Sequence, residues 1–382
     1  LAISDFIRAK ILTGFPWNLW AYSFSWATEI LQILNLSGFF CFNLIIITIF
    51  TLPAVVFFKT KIIYKFLVFT SLVLAILVLY ISGSHSINKN QNILDSSDKK
   101  YYIKAISPNF KLEYGLDSNK IKNRLDKLIK YSEPDKDRKT LFVWPEGVFS
   151  GYTFEDVLDL RETFSKSFFD NHLILFGVNR VDKKTLGIYN SMVIVNNRME
   201  IVREYNKQKL VPFGEYLPFE KILNKIGLKK ITEGQGSFLA GGRQNNLVID
   251  KLNILPLICY EIIFPEFLQS SDENTNVIIN ISEDGWFGNS IGPHQHFVKG
   301  VFRAVEQNSF LIRSANKGIS AIINNKGEIV KKLTATEKGN IELEVPLLIK
   351  QNKNKNKNDL IFFVLLITYI FIFSFYKKKN ND

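Results

Sequence analysis

Three stretches in the middle of this chain carry side chains able to do acid–base or nucleophilic chemistry. Leu141-Phe142-Val143-Trp144-Pro145-Glu146-Gly147 is an apolar run that stops at a proline and presents a carboxylate. A short unbroken apolar run predicts a strand covered on both faces, so Glu146 is placed at the strand's C-terminal edge. Leu255-Pro256-Leu257-Ile258-Cys259-Tyr260-Glu261 delivers a thiol in the same way. A free cysteine is more often a core residue than a nucleophile, but a Glu two positions on does not belong in a packed core. Between the two lies Tyr205-Asn206-Lys207, followed by a loop through Pro212, Gly214 and Pro218. Two prolines and a glycine fix an irregular loop, and a loop that rigid usually positions something. Alone, Lys207 reads as an ordinary solvated lysine and Glu146 as a surface turn. A carboxylate, a cation and a thiol in this order are far more specific together than any one of them.

Elements that could position them alternate along residues 101 to 349. Strands are predicted at Tyr101–Ser107, Thr140–Trp144, Leu173–Gly177, Ser191–Val195, Leu247–Ile249, Ile254–Cys259, Val277–Ile281, Phe310–Ser314 and Ile319–Ile323. Helices are predicted at Lys120–Tyr131, Glu155–Phe169 and Pro293–Gln307. Helices alternate with some strands, while elsewhere two strands follow one another. That mixture predicts an α/β sandwich of two sheets with outer helices.

The ends of the chain are different. Leu36–Phe58, Phe66–Gly83 and Leu360–Tyr376 are long uncharged apolar runs, and a helix needs about 20 such residues to cross a bilayer. Trp17, Trp20 and Trp26 cluster beside the first run, as at a membrane–water interface. The expected organisation is a membrane region over 1–83, a domain over 101–349 and a last span over 360–376. The chain opens on Leu1 inside an apolar, helix-like stretch, so residues are expected to precede it. Lys59, Lys61 and Lys65 between two spans and Lys377, Lys378 and Lys379 after the last place the middle domain outside the cytoplasm. Lys350, Lys353, Lys355 and Lys357 run against that orientation and read as a low-complexity linker. The net charge of +12 is Lys scattered among Asn and Ile, with no basic stripe interleaved with aromatics, so nucleic acid is not an expected partner. Of the two cysteines, Cys41 lies in an apolar run and Cys259 is the lone thiol of the middle region, which therefore has no internal disulfide. His294 and His296 lack further ligands at metal-site spacing, so neither metal nor cofactor is expected.

Glu146, Lys207 and Cys259 match the Glu–Lys–Cys order of the nitrilase superfamily. One branch is resembled closely: the bacterial apolipoprotein N-acyltransferases. The resemblance runs over nearly the whole chain. It takes in Asp5 and Arg8 before Thr13-Gly14-Phe15-Pro16-Trp17, then Trp144-Pro145-Glu146, and Lys207 with Leu210-Val211-Pro212-Phe213-Gly214-Glu215. It continues through Cys259-Tyr260-Glu261, Asp284-Gly285-Trp286-Phe287-Gly288, Gly292-Pro293-His294-Gln295-His296 and Arg303-Ala304-Val305-Glu306. It implies a nitrilase-like αββα sandwich inserted between transmembrane helices of a bacterial inner-membrane protein, with the domain on the periplasmic side.

By the same resemblance Glu146 is the general base and Cys259 the nucleophile, while Lys207 lowers the thiol's pKa and stabilises an oxyanion with a backbone N–H after Cys259. Glu215 would orient Lys207 or support the base. Tyr260 and Glu261 would shape the acyl and amine pockets, with Trp286 and Tyr114 as further pocket residues. The implied reaction moves a fatty acyl chain from a membrane phospholipid, through a Cys259 thioester, to the α-amino group of a diacylglyceryl-cysteine apolipoprotein. The sequence departs from the branch at Glu283, where Asn is common, and at His294, where an aromatic is usual. Its loop after the first strand offers Tyr114 in place of the usual Trp. Two rival readings use the same residues: a membrane-tethered amidase or nitrilase, and a remnant that binds lipid without turnover.

Overall fold

The computed structural model describes residues 1–382 except 58, 60, 96–99, 114, 221–236, 244–245, 271, 273, 348–357 and 382. Twelve strands are described: β1 (Lys100–Ser107), β2 (Thr140–Val143), β3 (His172–Val181), β4 (Ile188–Val195), β5 (Ile201–Asn206), β6 (Leu247–Ile249), β7 (Leu252–Ile258), β8 (Val277–Glu283), β9 (Phe310–Asn316), β10 (Ser320–Ile323), β11 (Ile329–Leu333) and β12 (Gly339–Pro346). They form two six-stranded sheets, ordered β12-β1-β2-β3-β4-β5 and β11-β10-β9-β8-β7-β6. In each sheet three strands run parallel, β1-β2-β3 and β7-β8-β9, and the flanking pairs are antiparallel. Parallel strands must be covered on both faces, and side-chain alternation shows what covers each.

Ile103, Leu141, Val143 and Leu175 of the first sheet face Ile254, Ile258, Ile279 and Ile312 of the second, forming one buried inter-sheet core. The opposite face of the first sheet, with Phe142, Ile174 and Phe176, packs on Leu125 and Leu128 of helix Ser118–Ser132 and on Phe164 and Phe168. The opposite face of the second sheet, with Leu257, Ile278 and Leu311, packs on Phe297, Val301 and Val305 of helix Gly292–Gln307. The result is the αββα sandwich.

The predicted strands all occur, with shifted ends, and three more join them. β5, β11 and β12 are interrupted by charges, for example Arg203, Lys332 and Glu342, so they lack the unbroken apolar run of a buried strand. The helix expected over Glu155–Phe169 is broken into Phe154–Val157, a 3-10 turn Leu158–Leu160 and Arg161–Ser167. Thr153 and Asp156 cap its start reciprocally, with Thr153 accepting from the Asp156 N–H and Asp156 from the Thr153 N–H.

Apolar helices sit against the helix Gly292–Gln307 side of the sandwich. Phe39–Phe57 and Ile62–Asn90 are each long and apolar enough to cross a membrane, and Asn358–Ser374 is a shorter apolar helix. Helix Ile62–Asp95 does not end near Gly83 but continues toward the domain. Gly83 is where it crosses the backbone of Glu29, so closely that a Cβ there would lie 1.9 Å from the Glu29 carbonyl oxygen. Beyond the crossing, Ser86 accepts from Lys326 Nζ and Asn90 exchanges hydrogen bonds of 2.9 and 2.7 Å with Asn325. Cys41 is buried within the same apolar cluster, and Phe6 stacks on Phe362 of the last helix at 5.1 Å. Buried Asn43 ties the cluster together: it donates to Asp5 and accepts from the Ala21 N–H.

Candidate active site

The C-terminal ends of β2, β5, β7 and β8 give out at one end of the sandwich, and the reactive side chains leave from those ends. Three residues after β2, Glu146 packs so close to β3 that a Cβ on Gly177 would lie 2.9 Å from the Glu146 Cα. Glycine at that position is what lets the carboxylate's backbone settle onto the sheet. Glu146 Oε1 accepts from Asn190 Nδ2 at 2.7 Å and Oε2 accepts from the Glu283 N–H at 2.9 Å. Arg124 fixes the far side of the turn, donating to the Gly147 and Val148 carbonyls.

Lys207 follows β5 directly. Its backbone is held from both sides, its N–H donating to the Asn190 carbonyl and its carbonyl accepting from the Gly241 N–H. Its side chain is buried; Nζ donates to Glu215 Oε1 at 2.8 Å and lies 3.6 Å from Glu146 Oε1. Burial alone would lower an ammonium's pKa, but the carboxylates of Glu215 and Glu146 outweigh it and hold Lys207 above the usual lysine range.

Cys259 is the first residue of a 3-10 turn, Cys259–Ile263, that ends β7. Its φ is +49°, a left-handed conformation that a non-glycine residue keeps only where its surroundings impose it. Part of its surface stays open, although protein atoms crowd it on nearly every side. Burial and the Glu146 carboxylate raise the thiol's pKa; Lys207 and a hydrogen bond with Ser282 lower it, and the net direction is up. Lys207 thus acts on the thiol in the expected sense, against a net shift toward the protonated sulfur. A carboxylate, an ammonium and a neutral thiol meet in one electrostatic neighbourhood, which can move a proton off sulfur and hold negative charge on a reacting oxygen.

Residues 122–349 match the carbon-nitrogen hydrolase family. The chain is 35% identical over 350 residues to the apolipoprotein N-acyltransferase of Rickettsia typhi (strain ATCC VR-144 / Wilmington), covering 90% of this chain and 68% of that protein. It belongs to the apolipoprotein N-acyltransferase family. The corresponding proteins of Rhizobium leguminosarum bv. trifolii (strain WSM2304) and Brucella suis biovar 1 (strain 1330) are 32% identical over 356 residues and 31% identical over 359. Each alignment covers 90% of this chain and 66% of the relative, so the chain spans just under two thirds of their length.

Around Glu146, Lys207 and Cys259 of this apolipoprotein N-acyltransferase family member, Glu215 binds Lys207 through Oε1 and the Val211 N–H through Oε2, at 2.8 Å each. Asn190 donates to both Glu146 and Glu215, at 2.7 and 2.9 Å, and so locks the two carboxylates to each other. Tyr260 reaches the N-terminal segment: its hydroxyl donates to the Gly14 carbonyl at 3.1 Å and its ring stacks on Phe15.

Glu261 does not line a pocket, which corrects the expectation for it. It is fully buried, and four donors saturate it: the Tyr205 hydroxyl and the Gln208, Lys209 and Ile258 N–H groups, at 2.7 to 3.1 Å. One carboxylate thereby ties the Lys207 loop to the Cys259 turn. Burial pushes it up to about 7, with the Ile258 N–H and Lys207 acting the other way. Trp286 sits half-exposed in the 3-10 turn Asp284–Phe287 that follows β8. Tyr114 lies outside the described residues.

Sequence reasoning missed three contributors. Asn190 lies inside an apolar strand, where no local pattern marks it. Glu283 accepts from Gly285 N–H and Asn316 Nδ2, and burial pushes its carboxyl up to about 8. His296 is buried with Nε2 3.2 Å from the Cys259 carbonyl oxygen and Nδ1 2.9 Å from Asp284 Oδ1. Burial would raise the Asp284 carboxyl, but Arg313, His296 and Ser282 hold it well below the usual carboxylate range. The signal for His296 was in the sequence as a histidine on the buried face of a helix, where only a polar partner could satisfy it.

Proposed function

We propose that the chain transfers a fatty acyl group from a membrane phospholipid to the α-amino group of a diacylated apolipoprotein, through a thioester on Cys259. The observation that carries this reading is the Glu146–Lys207–Cys259 cluster held next to apolar helices, in a member of the apolipoprotein N-acyltransferase family. Glu146 takes the thiol proton as sulfur attacks the ester carbonyl. Lys207 Nζ and a backbone N–H after Cys259 hold the oxyanion, and the tetrahedral adduct collapses with loss of a lysophospholipid. The protonated Glu146 can supply the leaving oxygen with its proton. In the second half Glu146 takes a proton from the acceptor amine, which attacks the thioester carbonyl. An amide forms and the thiolate leaves, to be reprotonated. Asn190, Glu215 and Glu261 act as positioning residues. The raised thiol pKa supports a concerted proton removal, since a free thiolate is scarce at rest.

We also assign residues 1–83 and 360–376 to a multi-pass membrane part in the bacterial inner membrane, with the 101–349 domain on the periplasmic side. Lys59, Lys61, Lys65 and Lys377–Lys379 support that orientation. Donor and acceptor would then both reside in the bilayer, which limits access of water to the thioester.

The test is a pair of assays on the membrane-embedded protein. Acyl transfer from phospholipid to a diacylated lipopeptide is expected for the wild type and lost in Cys259→Ala of unchanged fold. Efficient hydrolysis of small amides without acyl transfer would favour an amidase instead.

A further inference from the structure

Next to the candidate active site, helix Gly292–Gln307 and the segment around Trp17–Ser25 border an open cleft of about 620 Å³. None of the triad residues lines it. It shares a wall with the reaction centre, because Trp17 lies against both His296 and Phe287, at 5.6 and 5.7 Å between ring centroids, and His296 touches the Cys259 carbonyl. Lining residues include Trp17, Tyr22, Ser23, Gln295 and Lys299.

Lys299 is the unusual member. It is 2% exposed, and among the described residues no carboxylate pairs with it and no oxygen accepts from it. Its ammonium stands over two aromatic faces, 3.9 Å from the Tyr22 centroid and 4.7 Å from that of Trp17. One turn along the helix Arg303 adds a second buried cation, stacked over Phe39 with Glu306 as its carboxylate partner. Burial, then Arg303, push Lys299 down to about 7, so its charge is held at a cost. An ammonium that is buried and lacks an anion is expensive unless a ligand brings one. The Tyr22 hydroxyl is buried without a hydrogen-bond partner among the described residues, and with the Gln295 amide nitrogen it suits the oxygens of a phosphate, while half-exposed Trp20 and exposed Ile291 give the cleft an apolar rim.

We propose that Lys299 and this aromatic cleft seat the phosphate of a phospholipid headgroup, placing the acyl donor beside the Cys259 turn. The inference rests on the acyl-transfer reading for its choice of lipid. Its test requires binding only. The full chain in detergent is titrated with a diether phosphatidylethanolamine, which cannot donate an acyl group, with the matching dialkylglycerol that lacks phosphate, and with inorganic phosphate. Lys299→Met is expected to weaken the diether phospholipid by at least about tenfold, since one partner of a buried charge pair is removed. Lys299→Arg should lose less than about threefold, and the phosphate-free lipid should not distinguish wild type from Lys299→Met.

Inorganic phosphate should compete, but more weakly than the phospholipid. Unchanged phospholipid binding in Lys299→Met overturns the proposal, as does an equal loss for the phosphate-free lipid, which would make Lys299 a packing residue. Inorganic phosphate binding as well as the phospholipid would make this a free-anion site and overturn the lipid assignment. Should Lys299→Met not fold, wild type binding both lipids equally also overturns it. Wild type that binds the diether phospholipid through Lys299 yet forms no acyl-enzyme with the matching diacyl phospholipid would instead count against the proposed function.

Discussion

At the scale of single residues, charge placement decides what the site can do. Lys207 keeps its proton against burial because two carboxylates face it, while Cys259 keeps its proton because burial and Glu146 outweigh Lys207. Followed by thiolate absorbance, Cys259 should therefore titrate above the value of about 8.5 for a free thiol. Lys207→Met should move it further up and slow acylation by about two to three orders of magnitude. Glu283 gives a pH dependence of stability whose sign can be worked out. Burial raises its carboxyl from 4.5 to about 8 in the folded protein, so the folded state binds the proton more tightly than the unfolded state. The stabilisation from Glu283 is complete below the unfolded value and is lost as pH rises toward the folded one. Glu283→Gln, which stays neutral, should flatten the fall in melting temperature between about pH 5 and pH 8. Reactive side chains at the ends of apolar runs were legible in the sequence, because a strand that stops abruptly displays its next residue. Asn190 was not, since an amide within a strand acquires its meaning only from the loops folded over it.

At the scale of elements, precision comes from two unshowy contacts. Gly177 lets the Glu146 turn rest on β3, and Gly177→Ala should shift that turn without unfolding the sandwich. A displacement of about 1 Å at a catalytic group can cost on the order of a hundredfold in rate, so acylation by the folded variant should fall by about that factor. Glu261 is the opposite case. Glu261→Gln replaces an acceptor of four hydrogen bonds by a group that must present a donor to some of them. It should destabilise the domain by roughly 2–4 kcal/mol, read from chemical unfolding in detergent. The core strands were legible because burial on both faces makes them continuously apolar. β11 and β12 escaped because charges interrupt an edge or half-covered strand and leave a weaker pattern.

At the scale of the whole molecule, apolar helices, Trp17 segment and sandwich are joined by specific contacts and not by linkers alone. Tyr260 reaches Gly14, Asn90 reaches Asn325, and Lys209 donates to the Thr13 carbonyl and pairs with Glu266. The apolar runs announced themselves by composition, but the way helix Ile62–Asp95 crosses Glu29 at Gly83 could not be read from them, because a close crossing depends on two backbones. If the 101–349 domain lies outside the cytoplasm, protease added to spheroplasts should cut it while a cytoplasmic marker survives; protection of the domain would reverse the orientation.

In the proposed reaction Cys259 carries the acyl group between donor and acceptor. Intact mass of the membrane-embedded protein after incubation with phospholipid tests it most directly. The expected result is a fatty-acyl adduct on Cys259 that hydroxylamine releases, that Cys259→Ala lacks, and that a diacylated lipopeptide discharges as an amide. A folded, lipid-bound protein that never acquires the adduct would contradict it.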